Sequence, residues 1–320
     1  MQSAPPATTR VQITTGQQFD VSILAGQVAE STIKMYKRDF AAYAKYAGSF
    51  ATAMLPETLA KFRAHLANET TKSPNTINRM LSAVRKLVSE AAAQGYIAHA
   101  TADAFARVAG VKVKAMKDRQ RSHARTKITP EQMRAICEAP DTETLAGTMH
   151  RALLLTLAQS GLRISEAVSL TMAQIEYGAD DSGRLGYTVS VMGKNKTEPE
   201  QRNIGTEAYN AICEWMDKRE KLTDVDSEWI FTGFGGRGSR APRSNHIHTV
   251  SAWEIVKRYS QAAQVEHVKP HDFRRFVGTR LTKTHGLEKA QKQLGHASIA
   301  TTAKHYDLSD IDRGMTDNLF

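Results

Sequence analysis

Four short segments in the second half of the chain each carry a side chain suited to a phosphate. In Gln159-Ser160-Gly161-Leu162-Arg163-Ile164-Ser165-Glu166, Arg163 follows a helix-ending glycine, and Glu166 lies three residues on, on the face where it orients the guanidinium. In Pro270-His271-Asp272-Phe273-Arg274-Arg275, His271 and Arg274 stand three apart at a proline-marked helix start, so both can point at one centre. Leu294-Gly295-His296 adds a second imidazole, and Lys304-His305-Tyr306-Asp307 adds a tyrosine near the C-terminus. Each segment alone is ordinary: an Arg–Glu pair is common on surfaces, and lone histidines and tyrosines are usually structural. Guanidinium forks match the geometry of phosphate oxygens. A phenol attacks phosphorus once nearby cations and a base make its phenolate accessible from an ordinary pKa of about 10. The Gly-rich stretch at 233–240 lacks the strand-loop-helix context and the Gly-Lys-Ser/Thr ending of a phosphate cradle, and reads as a loop.

The elements that must position these groups are legible as patterns. From Ser31 to Ala47, Ile33, Tyr36, Phe40, Tyr43, Ala44 and Ala47 recur at three- and four-residue steps opposite Lys34, Lys37, Arg38 and Lys45, which predicts an amphipathic helix with a basic outside. Helices follow at 56–68, at 74–94 after the Ser73-Pro74 cap, and at 98–109, set off by Gly95. Together they predict an all-helical bundle over residues 21–110, behind a loose tail at 1–20. Within the bundle one helix carries Arg79, Arg85 and Lys86, candidate contacts to nucleic acid or a solvated charged face. Residues 110–128 hold seven Lys or Arg, among them Lys112, Lys114 and Lys117, against the single Asp118, and read as a basic interdomain linker, placed at 111–128. A fresh helix starts at Thr129-Pro130-Glu131-Gln132, a capping-box pattern, and opens a mixed second domain over 129–320. There, helices are expected at 130–139, 147–159 and 163–172. A half-buried strand is expected at Tyr187–Val191, turning near Gly193, and a short apolar one at Trp229–Phe231.

The charge is unevenly spread. Of 320 residues, the first 130 hold nineteen Lys and Arg against eight Asp and Glu, and the rest hold 24 against 25, so the whole net charge of +10 comes from the first part. A local surplus of that size suits a polyanion, because each phosphate neutralised releases condensed counterions. The absence of a Trp-rich interfacial helix favours nucleic acid over a membrane surface. No stretch is long and apolar enough to span a bilayer, and the first residues lack the pattern of a secretory signal, so the expectation is a soluble, cytoplasmic, nucleoid-associated protein. Cys137 and Cys213 have no CxxC or histidine partner at ligand spacing, so no metal site is expected and two reduced thiols are.

Taken in the order Arg, Lys, His-x-x-Arg, His, Tyr, these segments resemble the tyrosine recombinase (lambda integrase) family, and SGLRISEAVSL, HDFRR and LGHASIATTAKHY carry the resemblance. It implies two domains: an all-α core-binding bundle, and a mostly α catalytic domain with a small antiparallel β-sheet. It implies site-specific cleavage and rejoining of double-stranded DNA through a 3′-phosphotyrosyl bond. Arg163 and Arg274 would clamp the scissile phosphate, and Glu166 would support the first of them. His271 would assist proton transfer, His296 would hydrogen-bond the phosphate or support the nucleophile, and Tyr306 would attack. The family gives protonation of the leaving 5′ hydroxyl to a lysine in a turn between two strands, here Lys196, with Lys194 as the alternative. No cofactor is implied, and the working assembly would be a homotetramer on two DNA sites, monomeric or dimeric when free. Tyr306 falls ten residues after His296, one more than the commonest family spacing, and the short tail beyond it weakens the expectation of cyclic assembly through that tail. A DNA-binding protein without strand cleavage is the alternative, with the same basic first part and no use for the five-residue set.

Overall fold

The computed structural model describes residues 21–119, 127–193, 196–222, 225–235 and 242–296. The chain divides into two compact units, Met1–Ala124 and Arg125–Phe320.

Unit 1 is all helical. A 3-10 turn at Val21–Leu24 precedes α1 (Glu30–Ala47), α2 (Phe50–Ala53), α3 (Pro56–Glu69), α4 (Pro74–Ala93) and α5 (His99–Arg107). The amphipathic pattern read from the first helix is its packing face: Phe40 and Tyr43 are buried against Phe62, Ile77 and Leu81. The Tyr43 hydroxyl donates to the Ala53 carbonyl at 2.7 Å, which removes the cost of burying it. The Ser73 cap is in place, its hydroxyl accepting from the Thr76 amide, and α4 ends before Gly95, which adopts φ +77°. The start of the expected linker belongs to this unit. Residues Val113–Arg119 form 3-10 turns kinked at Met116, Val111 and Met116 pack on the helical core, and the Asn78 side chain bonds both the amide and the carbonyl of Val111.

Unit 2 is mostly helical, with two small antiparallel sheets. Its order is α6 (Pro130–Glu138), α7 (Leu145–Ser160), α8 (Ile164–Val168), β1 (Ile175–Ala179), β2 (Leu185–Met192), β3 (Pro199–Ile204), α9 (Thr206–Leu222), β4 (Thr232–Phe234), β5 (Pro242–His246), α10 (Thr249–Ala262), α11 (Pro270–His285) and α12 (Leu287–Leu294). One sheet runs β1-β2-β3, and the other pairs β4 with β5. The capping box at Thr129 and Gln132 is complete, with bonds of 3.2 and 3.0 Å. Helix α7 is the centre of the core. Leu153, Leu154 and Leu157 are fully buried on it, and Thr156 and Ser160 turn their hydroxyls back onto its own carbonyls. Trp215 of α9 is buried beside them, donating to the Ile230 carbonyl at 2.6 Å.

Two expectations are corrected here. The helix expected at 163–172 ends at Val168, because Thr171 is extended and bridges Trp229 while the Leu170 carbonyl accepts from the Ile230 amide. The strand expected at Trp229–Phe231 is only that bridge, and the regular strand begins at Thr232. Among the described residues no helix is long and apolar enough to cross a membrane.

Candidate active site

The first arginine segment is shaped by the end of α7. Gly161 stops that helix in the left-handed region at φ +69°, and a Cβ there would press on Leu294 and Val277 at 3.0 to 3.2 Å. Only glycine satisfies both the backbone and the space. The turn delivers Arg163 as the residue before α8, and Glu166 holds it twice: one carboxylate oxygen accepts from the Arg163 amide at 2.8 Å, the other from its guanidinium at 2.6 Å. Glu166 is largely buried and Arg163 half-buried, so the support residue lies beneath and the cation above.

Helix α11 supplies the second segment. Asp272 accepts from the Lys269 amide at 3.0 Å and fixes the helix start, Pro270 occupies its first turn, and His271 is exposed there. One turn on, Arg274 is 2% exposed. Its guanidinium donates to the Gly161 carbonyl at 2.7 Å and to the carbonyl of Leu294. Those acceptors lie two residues before Arg163 and two before His296, so one side chain draws three of the four sequence segments to a single place. The carbonyl partners hold this buried guanidinium in a fixed orientation, and a charge at a buried position acts more strongly than one in water.

The third segment follows α12. Gly295 ends the helix at φ +60°, and a Cβ there would land on the Arg202 guanidinium. His296, half-buried, has its amide on the Gln291 carbonyl and its own carbonyl on the Gln291 side chain. Gln293 extends the network. Its amide bonds both the N–H and the C=O of Asn203 in β3, at 2.9 and 2.8 Å, and donates to the Ser160 carbonyl at 2.7 Å. A side chain thus acts as a strand partner and ties α12, β3 and the end of α7 together.

The turn between β2 and β3 carries the lysine. The Lys196 amide donates to the Gly193 carbonyl at 3.1 Å, and its ammonium meets Glu200 at 3.0 Å. Hydrogen bonds from Lys196 first, and from Arg202, hold the Glu200 carboxyl below the usual carboxylate range, against a smaller upward push from burial. Lys194 and Tyr306 lie outside the described residues, as does the side chain of Lys117. Gln293, Glu200 and Arg202 escaped the sequence reading as site residues: their partners are backbone groups and side chains brought near only by the fold.

In unit 1, the candidate nucleic-acid contacts differ in surroundings. Arg79 pairs at 2.5 Å with Asp39, which is 3% exposed, and burial raises the Asp39 carboxyl despite the opposing pull of Arg79 and Arg38. Arg85 donates to the Val108 carbonyl, and Lys86 donates to Gln27 at 2.7 Å. Lys112 and Lys114 are exposed. Among the described residues no group of three or more His, Cys, Asp or Glu is placed to hold a metal ion.

Comparison with known proteins agrees with this architecture. The family model described as "Phage integrase family" matches residues 126–311, and the one described as "Phage integrase, N-terminal SAM-like domain" matches 17–95. Tyrosine recombinase XerC of Myxococcus xanthus is 30% identical over 295 residues, covering 78% of this chain and 93% of the relative. XerC of Chromohalobacter salexigens is 25% identical over 289 residues, covering 87% and 86%. Among solved structures, a lambda integrase dimer bound to a COC′ core site aligns with a TM-score of 0.60 at 17% identity, covering 90% of this chain and 92% of that one. A Tn1549 transposon integrase in complex with transposon right end DNA aligns equally well at 15% identity, covering 91% and 96%; at these identities the likeness shows the fold.

Proposed function

This chain belongs to the phage integrase family of tyrosine recombinases, and from that premise we propose that it is a site-specific DNA recombinase that cuts and rejoins strands through Tyr306. The observation that supports the reading is the Arg274 guanidinium on the carbonyls of Gly161 and Leu294, which draws together the backbone segments that carry Arg163 and His296. A phosphodiester under attack gathers negative charge on its non-bridging oxygens, and fixed guanidinium groups stabilise that charge without reorganising.

In this scheme the Tyr306 phenol oxygen bonds to phosphorus as its proton passes to a base such as His271. The bond to the 5′ oxygen breaks, and Lys196, or Lys194, protonates that oxygen as it leaves. The 3′-phosphotyrosyl bond keeps the energy of the broken linkage, so a 5′ hydroxyl from another strand reverses the step and reseals the backbone. His296 hydrogen-bonds the phosphate. The chemistry uses no cofactor or metal.

The partner is double-stranded DNA bearing a specific site, and exchange between two sites calls for four subunits, one for each strand cut. Of the basic candidates in the first part, Lys112 and Lys114 are exposed, and together with Lys117 they are assigned to phosphate contact ahead of Arg79, Arg85 and Lys86, whose described partners lie within unit 1.

The test is a denaturing-gel search for a protein-DNA adduct, with wild type and Tyr306→Phe offered nicked random duplexes and the DNA flanking the gene. An adduct with wild type alone is the expected result. An adduct persisting in Tyr306→Phe removes the nucleophile assignment, and binding by both proteins with no adduct from either points to a DNA-binding protein without cleavage.

A further inference from the structure

We infer that Glu200 is a positioning residue for strand cleavage, holding the Lys196 ammonium on the same seam of backbone as His296; this rests on the reading of Lys196 as the proton donor. Glu200 and Arg202 stand two apart in β3, so their side chains leave the same face of the strand. One carboxylate oxygen of Glu200 accepts from Lys196 at 3.0 Å, and the other accepts from Arg202 at 2.5 Å. Arg202 is 6% exposed, and it also donates to the Gln201 carbonyl at 2.9 Å. A guanidinium that deep in the protein needs a counter-charge, and Glu200 supplies it while keeping its second oxygen for the lysine.

The backbone of Gly295 lies against this same Arg202–Glu200 contact. The Cα there comes so close that a Cβ would sit 1.8 Å from Arg202 Nη2 and 3.0 Å from the Glu200 carboxylate. The next residue is His296. Contact therefore runs without a break from Lys196 through Glu200 and Arg202 to Gly295, and the turn lysine is carried to the place where Arg274 has already gathered the other segments. The anchor at the other end of this path is rigid, because Gln293 clamps α12 to the Asn203 backbone one residue beyond Arg202. Lys196 is a long side chain on a turn, and a general acid contributes only when held within hydrogen-bond reach of the leaving oxygen. Glu200 meets that need by limiting the space the ammonium samples.

The role predicts a leaving-group signature that a purely structural carboxylate does not have. A 5′ oxygen must be protonated as it departs, whereas a sulfur in the same bridging position leaves as a thiolate and needs no acid. The experiment takes the duplex captured by wild type, in ordinary form and with a 5′-bridging sulfur at the scissile phosphate, and measures adduct formation by wild type, Lys196→Ala, Glu200→Gln and Glu200→Asp. The oxygen-to-sulfur rate ratio is internal to each protein, so a variant that is partly unfolded or weakly bound still reports correctly. The expected result is a fall of at least tenfold in this ratio for Lys196→Ala and Glu200→Gln, with Glu200→Asp between them and wild type. If Glu200→Gln does not fold, the test rests on Glu200→Asp, which withdraws the charge by one methylene and must give a ratio below that of wild type.

A wild-type ratio in the Glu200 variants beside a collapsed one in Lys196→Ala overturns the positioning role and leaves the general acid standing. An unchanged ratio in Lys196→Ala overturns the assignment of that lysine and the Glu200 proposal with it. A wild type that forms no adduct with any duplex removes the reaction and the proposal together.

Discussion

Two arginines of the same type, both directed at phosphate by the proposed scheme, stand in different relations to the fold. Arg163 is half-buried on Glu166, the acid that also caps its own turn, so the carboxylate keeps one bond to the backbone whatever residue stands at 163. Arg274 is buried with its guanidinium spread between the Gly161 and Leu294 carbonyls, and a lysine cannot span both. Arg274→Lys is therefore expected to cost about 2 kcal/mol in urea unfolding, from one carbonyl left without its donor in a buried place. Arg163→Lys is expected to stay within about 1 kcal/mol of wild type, as a partly exposed ion pair exchanged for another. Both variants should lose adduct formation by about 100-fold or more, the scale of removing one fixed donor from a developing anion. Equal stability losses in the two would mean that Arg274 does not hold its three segments together.

At the scale of elements, legibility in the sequence followed how local each signal is. The Thr129 and Ser73 caps, the glycine before Arg163 and the proline before His271 act within three or four residues, and the structure has each helix starting or stopping where they stand. Strand β3 was implied by the family resemblance but not by any pattern in Pro-Glu-Gln-Arg-Asn-Ile, because one of its two buried residues is an arginine, paired with Glu200 and set against Gly295 at the end of α12. The 3-10 turns at Val113–Arg119 hid in a basic stretch, since the hold on unit 1 comes from Met116 on the helical core and from Val111 bonded to Asn78, more than thirty residues away. The same holds for the join between α7 and α10. His150 is buried, its ring bonded to the Tyr259 hydroxyl at 2.9 Å, and burial lowers its pKa to about 4. The folded state prefers it neutral, so its contribution is whole above about pH 6.5 and is lost as pH falls from there toward 4, while the unfolded chain takes up a proton that the native protein refuses. Between pH 7 and 5.5 the unfolding free energy of wild type should fall by about 1 kcal/mol more than that of His150→Phe, which does not titrate at that position. Matching slopes in the two proteins would show that His150 is protonated at no cost to the fold.

For the whole molecule, the surplus of positive charge in the first 130 residues is a statement about affinity, and it separates cations that serve the fold from cations that serve binding. Lys112 and Lys114 are exposed and form no ion pair among the described residues, whereas Arg79 neutralises a carboxylate that is almost wholly buried. Observed affinity for duplex DNA falls with salt along a line whose slope counts neutralised phosphates. Replacing Lys112 and Lys114 by glutamine should make that slope shallower by about 0.9 for each lysine that meets a phosphate, lower affinity alike for all sequences, and leave the urea midpoint where it was. Arg79→Ala should do the reverse to the fold, costing about 3 kcal/mol because Asp39 is left buried without its partner. Where enough of that variant remains folded to bind, its salt slope should equal the wild-type value. A slope unmoved by the lysine replacements, together with one that flattens in Arg79→Ala, would transfer the phosphate contact from the linker to the face of α4.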